Sequence, residues 1–189
     1  MRIIAGVLRS RVLRSPKGDG CRPAMGRTRE ALYSMLEARG LSYEETRILD
    51  IFAGSGSLAF EGISRGALNA VLVENARPVV SCIEANRKAL GLEEQVHIVQ
   101  EDAVRFLRTA AHDPFQLVFL DPPYRKNLVT PCLELLCTFS WLAPQALVVA
   151  EVEDGYTPIF PERLVCCTDR LFGQTRVFIA RYTSEDETI

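Results

Sequence analysis

Short apolar runs alternate with amphipathic segments along the middle of the chain, from about residue 47 to residue 152. Each apolar run has the length of a buried strand, and each amphipathic segment has the spacing of a helix. The predicted strands are residues 48–53, 70–74, 96–100, 115–120 and 146–152, and the predicted helices are residues 57–65, 76–90, 103–111 and 128–139. Strands that alternate with helices predict an α/β fold with a parallel sheet and helices on both faces.

The two ends of the chain have a different pattern. Two β-rich runs, residues 163–171 and 175–182, predict a terminal antiparallel hairpin. At the start, residues 2–15 alternate apolar and basic side chains and predict a short β-hairpin, followed by a loop and a helix at residues 26–39. The sequence therefore predicts a basic extension (residues 1–40), an α/β domain with a seven-stranded, mostly parallel sheet (residues 41–183) and an acidic tail (residues 184–189).

Basic residues are concentrated at the start of the chain. Residues 1–30 contain eight lysines and arginines against two acidic residues, a net charge of +6. The remainder contains 14 basic and 22 acidic residues, a net charge of −8. A basic segment on an acidic body is typical of proteins that bind a polyanion. The charge distribution therefore favours a nucleic acid as the partner, and a solvated surface is the alternative.

Composition limits the class of protein. The chain has 189 residues, enough for one domain with a full core. We find no apolar run long enough to cross a bilayer and no signal-peptide pattern at the start, so we expect a cytoplasmic protein without membrane association. The six cysteines form no CxxC pair and there are only two histidines, so we expect reduced, buried thiols and no metal. At this size we expect a monomer.

A glycine-containing loop follows the first predicted strand. Gly54 and Gly56 stand just before the predicted helix at residues 57–65, and glycine lets the backbone approach a ligand closely. Glu74 ends the next strand, twenty residues after Gly54, where a carboxylate can accept hydrogen bonds from both hydroxyls of a ribose. This spacing alone suits NAD and S-adenosyl-L-methionine equally.

Three features favour S-adenosyl-L-methionine. Asp50 lies four residues before the first glycine, where it can meet the amino-acid end of that cofactor. Asp102 and Ala103 provide a contact at the end of the third strand. The tetrapeptide Asp121-Pro122-Pro123-Tyr124 ends the fourth strand, where it would face a donor methyl group. An NAD-dependent oxidoreductase requires no such combination, and the chain lacks a Tyr-x-x-x-Lys pattern for hydride transfer.

The tetrapeptide combines groups that suit a flat ligand bearing an amine. In open α/β sheets the ligand binds at the carboxyl ends of the strands, where this motif lies. Its consecutive prolines hold the chain extended and leave carbonyls to accept hydrogen bonds, beside a carboxylate and an aromatic ring. The motif therefore indicates methyl transfer to an exocyclic amine, and a proline-stiffened turn with a surface tyrosine is the alternative.

These motifs, with others along the chain, make the sequence resemble the RsmD-type 16S ribosomal RNA guanine-N(2) methyltransferases over nearly its whole length. The matching segments are Arg2-Ile3-Ile4-Ala5-Gly6 with Arg9 and Arg11, Arg22-Pro23 with Arg27 and Arg29-Glu30, residues 49–58, Asp121-Pro122-Pro123-Tyr124, Trp141-Leu142-Ala143 and Gly173-Gln174. Many amino methyltransferases share the glycine loop and the tetrapeptide, so the N-terminal motifs narrow the match. One departure is Ala24, where the family usually has threonine, so any role of that threonine would be lost.

The resemblance implies a Rossmann-like class I methyltransferase fold and methylation of a guanine amine in 16S rRNA of the small ribosomal subunit, with S-adenosyl-L-methionine as cofactor. It implies that Asp121, Pro122, Pro123 and Tyr124 are catalytic, with the carboxylate and the first proline's carbonyl holding the amine and the tyrosine stacking on the base. The implied cofactor residues are Asp50, Phe52, Gly54, Gly56, Glu74, Asn75, Asp102, Ala103 and Asp121. The implied RNA contacts are Arg2, Arg9, Arg11, Arg22, Arg27, Arg29, Arg125 and Lys126.

Two alternatives keep the same fold. The tetrapeptide also serves adenine-N(6) methyltransferases that act on DNA or RNA, and only the N-terminal resemblance disfavours that target. A non-catalytic ribosome-assembly factor would not need the complete set of strand-end residues. The residues also leave open whether Asp121 is a general base or only orients the amine. They leave open, too, whether the arginines of residues 22–29 contact RNA or pack over the cofactor pocket.

Overall fold

The fold is built on a seven-stranded sheet. The computed structural model describes residues 1–16 and 24–184; the side chains of Ala24 and Met25, residues 17–23 with most of the predicted loop, and the predicted acidic tail beyond residue 184 lie outside that description. The strands are β1 (Arg47–Ile51), β2 (Asn69–Glu74), β3 (Val96–Gln100), β4 (Phe115–Leu120), β5 (Leu142–Glu153), β6 (Leu164–Phe172) and β7 (Thr175–Tyr182). Their order is β3-β2-β1-β4-β5-β7-β6, and within this sheet β7 alone runs in the direction opposite to the other strands. The predicted parallel sheet with an antiparallel terminal hairpin is confirmed.

Helices cover both faces of the sheet. The described helices are α1 (Ala24–Glu37), α2 (Ser57–Ser64), α3 (Arg77–Leu90), α4 (Ala103–Leu107) and α5 (Val129–Thr138). One core, which includes Leu32, Phe60 and Ile83, lies under α1, α2 and α3, and a second core under α4 and α5 includes Leu107 and Leu133. Successive strand residues point into alternate cores, which is why the parallel strands are apolar along nearly their whole length. None of the described helices is long and apolar enough to cross a membrane.

Residues 1–16, which we call the arm, are held mainly by α2 and α3. Arg2 and Val12 form an antiparallel bridge, and backbone hydrogen bonds of Met1 with Leu13 and of Ile3 with Ser10 and Arg11 flank it, so the predicted short hairpin is present. Its pairing ends after Ile3 because the next amides are bonded elsewhere. The N–H groups of Ile4 and Ala5 donate to the carboxylate of Glu61 on α2, at 2.8 and 2.9 Å.

Gly6 determines how closely the arm approaches α2. Its φ is +80°, and a Cβ at this position would lie 1.7 Å from the carbonyl oxygen of Ser64. Both the backbone conformation and the lack of space therefore require glycine. The Val7 amide donates to that same carbonyl at 2.8 Å, and Ser64 Oγ donates to the Ala5 carbonyl at 2.5 Å. The arm and α2 are thus joined backbone to backbone.

Two elements have a bound that differs from the prediction by four residues, whereas the other bounds differ by at most two. Helix α4 ends at Leu107 and not at residue 111, because the chain turns back and the Ala111 amide donates to the carbonyl of Phe139 at 3.3 Å. Strand β5 begins at Leu142 and not at residue 146, because Leu142 already pairs with Phe115 of β4. Both differences arise from contacts between segments that are distant in sequence.

Candidate active site

Acidic side chains gather at the carboxyl edge of the parallel strands. Asp50 lies near the end of β1, Glu74 ends β2, Asp121 directly follows β4, and Glu151 lies near the end of β5. The register aligns these ends, since the last residue of β1 pairs with the last residue of β4, which pairs with the β5 residue before Glu151. Alternate residues of a strand share a face, and the four acidic residues fall on the face that α1, α2 and α3 cover.

Residues 52–56, which we call the glycine loop, connect β1 to α2 with an unusual backbone. Phe52, Gly54 and Gly56 all have positive φ angles, of 65°, 55° and 74°. A Cβ on Gly56 would lie 2.7 Å from the ring of Phe60 and 2.8 Å from Leu72. A side chain at position 56 would therefore collide with the core as well as strain the backbone.

Glu74 ties the end of β2 to the glycine loop. Its Oε2 accepts a hydrogen bond from the Gly54 amide at 3.2 Å, and its Oε1 accepts one from the Ala76 amide at 2.9 Å. Each carboxylate oxygen keeps a further lone pair that can accept from a hydroxyl. A Cβ on Gly54 would meet nothing nearer than 3.9 Å, so there is open space beside the loop. These residues therefore fit a cofactor that carries a ribose.

Asp50 is buried beneath the glycine loop, with 2% of its surface exposed. Its Oδ2 accepts a hydrogen bond from the Ala59 amide in the first turn of α2, at 3.3 Å. Burial raises the pKa of Asp50 well above its ordinary range, and the charges of Asp121 and Glu74 raise it further. Asp50 thus anchors the start of α2 and presents almost no surface to a bound cofactor.

The other predicted cofactor residues lie at the same edge. Phe52 is half-buried in the glycine loop, and Asn75 is exposed directly after β2. Asp102 follows β3 and caps α4, since its side chain accepts from the Arg105 amide at 3.0 Å. Ala103 is buried beside it. The structure therefore brings the ends of β1, β2 and β3 together, as their neighbouring positions in the sheet require.

The tetrapeptide Asp121-Pro122-Pro123-Tyr124 leaves the sheet beside the glycine loop. The Asp121 amide donates to the carbonyl of Ile51, the last residue of β1, at 3.5 Å. The first proline is buried, whereas the aspartate, the second proline and the tyrosine are exposed. The hydroxyl of Tyr124 lies 2.7 Å from Thr175 Oγ1, so β7 orients the ring. The four predicted catalytic residues thus border the loop that fits a cofactor.

Glu151 is a residue of this edge that sequence reasoning missed. It is half-buried on β5 and lines a small cavity together with Pro122 and Pro123. Burial, reinforced by the charges of Asp121 and Asp50, raises the pKa of Glu151 to about 8. A carboxyl that keeps its proton near neutral pH can donate a hydrogen bond to a charged neighbour. Its only signal in the sequence is that it is the one charged residue within the apolar run 146–152.

Six of the predicted RNA-binding residues are exposed. They are Arg2, Arg9 and Arg11 on the arm, Arg27 on α1, and Arg125 and Lys126 after the tetrapeptide. Two of them also brace the arm, since Arg2 donates to the Ser10 carbonyl at 2.9 Å and Arg11 donates to the Ala89 carbonyl of α3 at 2.6 Å. Arg22 lies outside the described residues.

Arg29 is buried, which is at odds with its predicted contact with RNA. Only 5% of it is exposed, and its Nε lies 3.4 Å from Oε2 of Glu61. It also donates to the Arg2 carbonyl and, at 3.4 Å, to the sulfur of Met1. A charge already paired inside the protein does not reach a phosphate at the surface. Arg29 instead ties α1 to the arm and α2, a role that the lone acidic residue of α2, Glu61, could have signalled.

Known proteins resemble this chain along almost its whole length. A family model described as Conserved hypothetical protein 95 matches residues 1–181. Ribosomal RNA small subunit methyltransferase D of Haemophilus influenzae is 35% identical over 176 residues, which are 92% of this chain and 89% of that protein. The protein of the same name from Escherichia coli is 33% identical over 190 residues, covering 100% and 93%. A solved structure named "Putative methyltransferase yhhF from Escherichia coli" has a TM-score of 0.87 at 32% identity, covering 98% of this chain and 99% of that one.

Proposed function

We propose, since this chain belongs to the RsmD-type methyltransferase family whose model is described as Conserved hypothetical protein 95, that it methylates the exocyclic amine of a guanine in 16S rRNA with S-adenosyl-L-methionine. One observation carries the proposal. The Asp121 amide is bonded to Ile51 where the glycine loop begins, at 3.5 Å. Acceptors for an amine and a loop for a cofactor are therefore neighbours on adjacent strands, as direct methyl transfer requires.

The residues around the glycine loop would hold the cofactor. S-adenosyl-L-methionine, when bound, supplies an electrophilic methyl group on a sulfonium. Glu74, which two backbone amides already orient, accepts hydrogen bonds from the ribose hydroxyls. Asp102 and Ala103 border the adenine at the end of β3, and Asp50 anchors the helix that follows the glycine loop.

The tetrapeptide orients the amine. The amine of guanine is a weak nucleophile because its lone pair is delocalised into the ring. The Asp121 carboxylate and the Pro122 carbonyl accept its two N–H bonds and favour a pyramidal nitrogen, while Tyr124, oriented by Thr175, stacks on the base. As the nitrogen gains the methyl group it releases one proton, to Asp121 or to water. Most of the acceleration then comes from positioning.

The arm holds the RNA around the target. A paired and stacked guanine does not reach the tetrapeptide, so the target lies in a loop or is flipped out, at a cost of roughly a few kcal/mol. Arg2, Arg9 and Arg11 are exposed on the arm, and the pair Arg125-Lys126 is exposed beside the tetrapeptide. These charges contact the flanking phosphates, so binding weakens as the salt concentration rises.

The decisive experiment is transfer of a labelled methyl group from S-adenosyl-L-methionine to small ribosomal subunits that lack native modification, followed by nucleoside analysis. We expect 2-methylguanosine in the 16S rRNA. N(6)-methyladenosine would refute the guanine target and leave the cofactor proposal intact. Absence of any incorporation into subunits, free RNA or DNA, despite cofactor binding, would refute the catalytic role and favour an assembly factor.

A further inference from the structure

One buried side-chain amide joins the arm to the glycine loop. Asn86 lies on α3 with 2% of its surface exposed. Its Oδ1 accepts a hydrogen bond from the Arg14 amide at 2.8 Å, and its Nδ2 donates to the Arg14 carbonyl at 3.0 Å. The same Nδ2 donates to the carbonyl of Ser55, inside the glycine loop, at 3.3 Å. Both hydrogens of this amide are therefore in use, one on each side.

The opposite end of the arm reaches the same loop residue. Ser55 is 8% exposed, and its Oγ lies 3.8 Å from the sulfur of Met1. That sulfur also accepts from Arg29, whose guanidinium is bound to Glu61. Ser55 is thus in contact with the first residue of the arm directly and with Arg14 through Asn86.

These contacts make the position of the loop depend on the position of the arm. A shift of the Ser55 carbonyl, as the loop closes on a ligand, must be followed by the Asn86 amide or leave a buried polar group without a partner. Because both backbone groups of Arg14 are bound to the same amide, Arg14 must follow as well. The arm's exposed charges, Arg9 and Arg11, precede Arg14 by only a few residues.

We propose that Asn86 is a positioning residue that couples cofactor binding to RNA binding. A cofactor bound at the glycine loop orders the arm, and RNA bound at the arm raises the affinity for the cofactor. The two effects are equal in size, because coupling between two binding sites is reciprocal. This inference rests on the proposed function, since it takes the glycine loop as the cofactor site and the arm as an RNA contact.

The first test uses the unaltered protein and needs no RNA. Hydrogen exchange of the Arg14 amide is measured with and without S-adenosyl-L-homocysteine, the demethylated cofactor, whose binding is followed separately by calorimetry. We expect exchange to slow by about fivefold or more, within the usual range of coupling between sites. Binding with an unchanged exchange rate at Arg14 would overturn the inference alone. Failure to bind would overturn the proposed function as well.

The second test compares RNA affinity with and without S-adenosyl-L-homocysteine in the wild type, in Asn86→Ala and in Asn69→Ala. Asn69 starts β2, at the opposite edge of the sheet, and serves as the matched control. We expect the cofactor to tighten binding to unmodified small subunits about fivefold or more in the wild type and the control, and to have no effect in Asn86→Ala. The ratio is internal to each protein and is measured at a concentration of S-adenosyl-L-homocysteine that saturates that protein by calorimetry, so neither general destabilisation nor weaker cofactor binding imitates the result. Coupling that persists in Asn86→Ala would overturn the inference.

Discussion

Replacing Glu61 with glutamine should release the arm from α2. The carboxylate of Glu61 is fully buried and serves four donors. One oxygen accepts from the Ile4 amide at 2.8 Å and lies 3.4 Å from Arg29 Nε, and the other accepts from Ala5 at 2.9 Å and from Arg65 Nε at 3.1 Å. Glutamine has the same shape but only one acceptor oxygen. Its side-chain NH₂ would therefore face two N–H donors where the second oxygen of Glu61 accepts them.

The expected loss of stability follows from the groups that Glu61→Gln leaves without a partner. One backbone amide of the arm loses its acceptor in a buried place, which costs about 1–3 kcal/mol. Removal of one partner of a buried ion pair costs about 3–5 kcal/mol. Arg65 is also paired with Glu37 and Arg29 also donates to the Arg2 carbonyl, so part of that cost is avoided. We therefore expect a decrease in the free energy of unfolding of about 3 kcal/mol in total.

Urea unfolding measures this loss. With a slope of about 2 kcal/mol per molar urea, the midpoint of Glu61→Gln should fall by about 1.5 M. Trypsin should also cleave after Arg9 and Arg11 faster than in the wild type, because both lie on the arm that Glu61 holds. The control is Glu44→Gln, at an exposed position, with an expected change within about 0.5 kcal/mol. A midpoint shift of Glu61→Gln no larger than that of the control would refute the reasoning.

Three further predictions concern the site. Asp121→Ala should abolish methyl transfer and leave cofactor affinity, measured by calorimetry, within about threefold, because all the other residues implied to hold the cofactor lie at the ends of β1, β2 and β3; a collapse of cofactor affinity would contradict this division. Gly56→Ala should lower the midpoint of thermal unfolding, since its Cβ would lie 2.7 Å from Phe60 and 2.8 Å from Leu72; an unchanged midpoint would contradict the packing argument. The pKa of Glu151 is raised to about 8 in the folded protein, from about 4.5 in the unfolded chain. Between these two pH values the folded state holds a proton that the unfolded state releases, so the free energy of unfolding falls as pH rises. In Glu151→Gln the free energy of unfolding should fall less steeply with pH, by up to about 1 kcal/mol per pH unit for this half-buried group. Urea unfolding at pH 5.5, 7 and 8.5 measures this, and an equal dependence on pH in wild type and variant would contradict the raised pKa.

The strands and the strand-end residues could be predicted because their signals are local. A run of five or six apolar residues between turn signals indicates a buried strand, because it is too short for a typical helix. Once the strands are assigned, Glu74 and Asp102 follow, since each stands directly at or after a strand end. The topology of the sheet then brings these residues to one edge without any further information.

Residues whose role depends on distant partners could not be predicted in this way. The family resemblance implies that Arg29 contacts RNA, but its partner in the structure, Glu61, lies 32 positions further along the chain. That Glu151 belongs to the site follows only from the sheet register, which pairs its neighbour Ala150 with the last residue of β4. The alternating pattern of the arm predicts its short hairpin, but it does not predict that the next amides, of Ile4 and Ala5, are bound to Glu61 of α2.

Helix α2 is short, yet it positions both parts of the proposed reaction. Its first turn follows the glycine loop and is anchored by Asp50, through the Ala59 amide. Its last turn carries Glu61 and Ser64, which hold the arm. An eight-residue helix is about 12 Å long, so α2 sets the separation between the glycine loop and the part of the arm that it holds. A substitution that loosens the arm from α2 should therefore impair orientation of the RNA target more than cofactor binding.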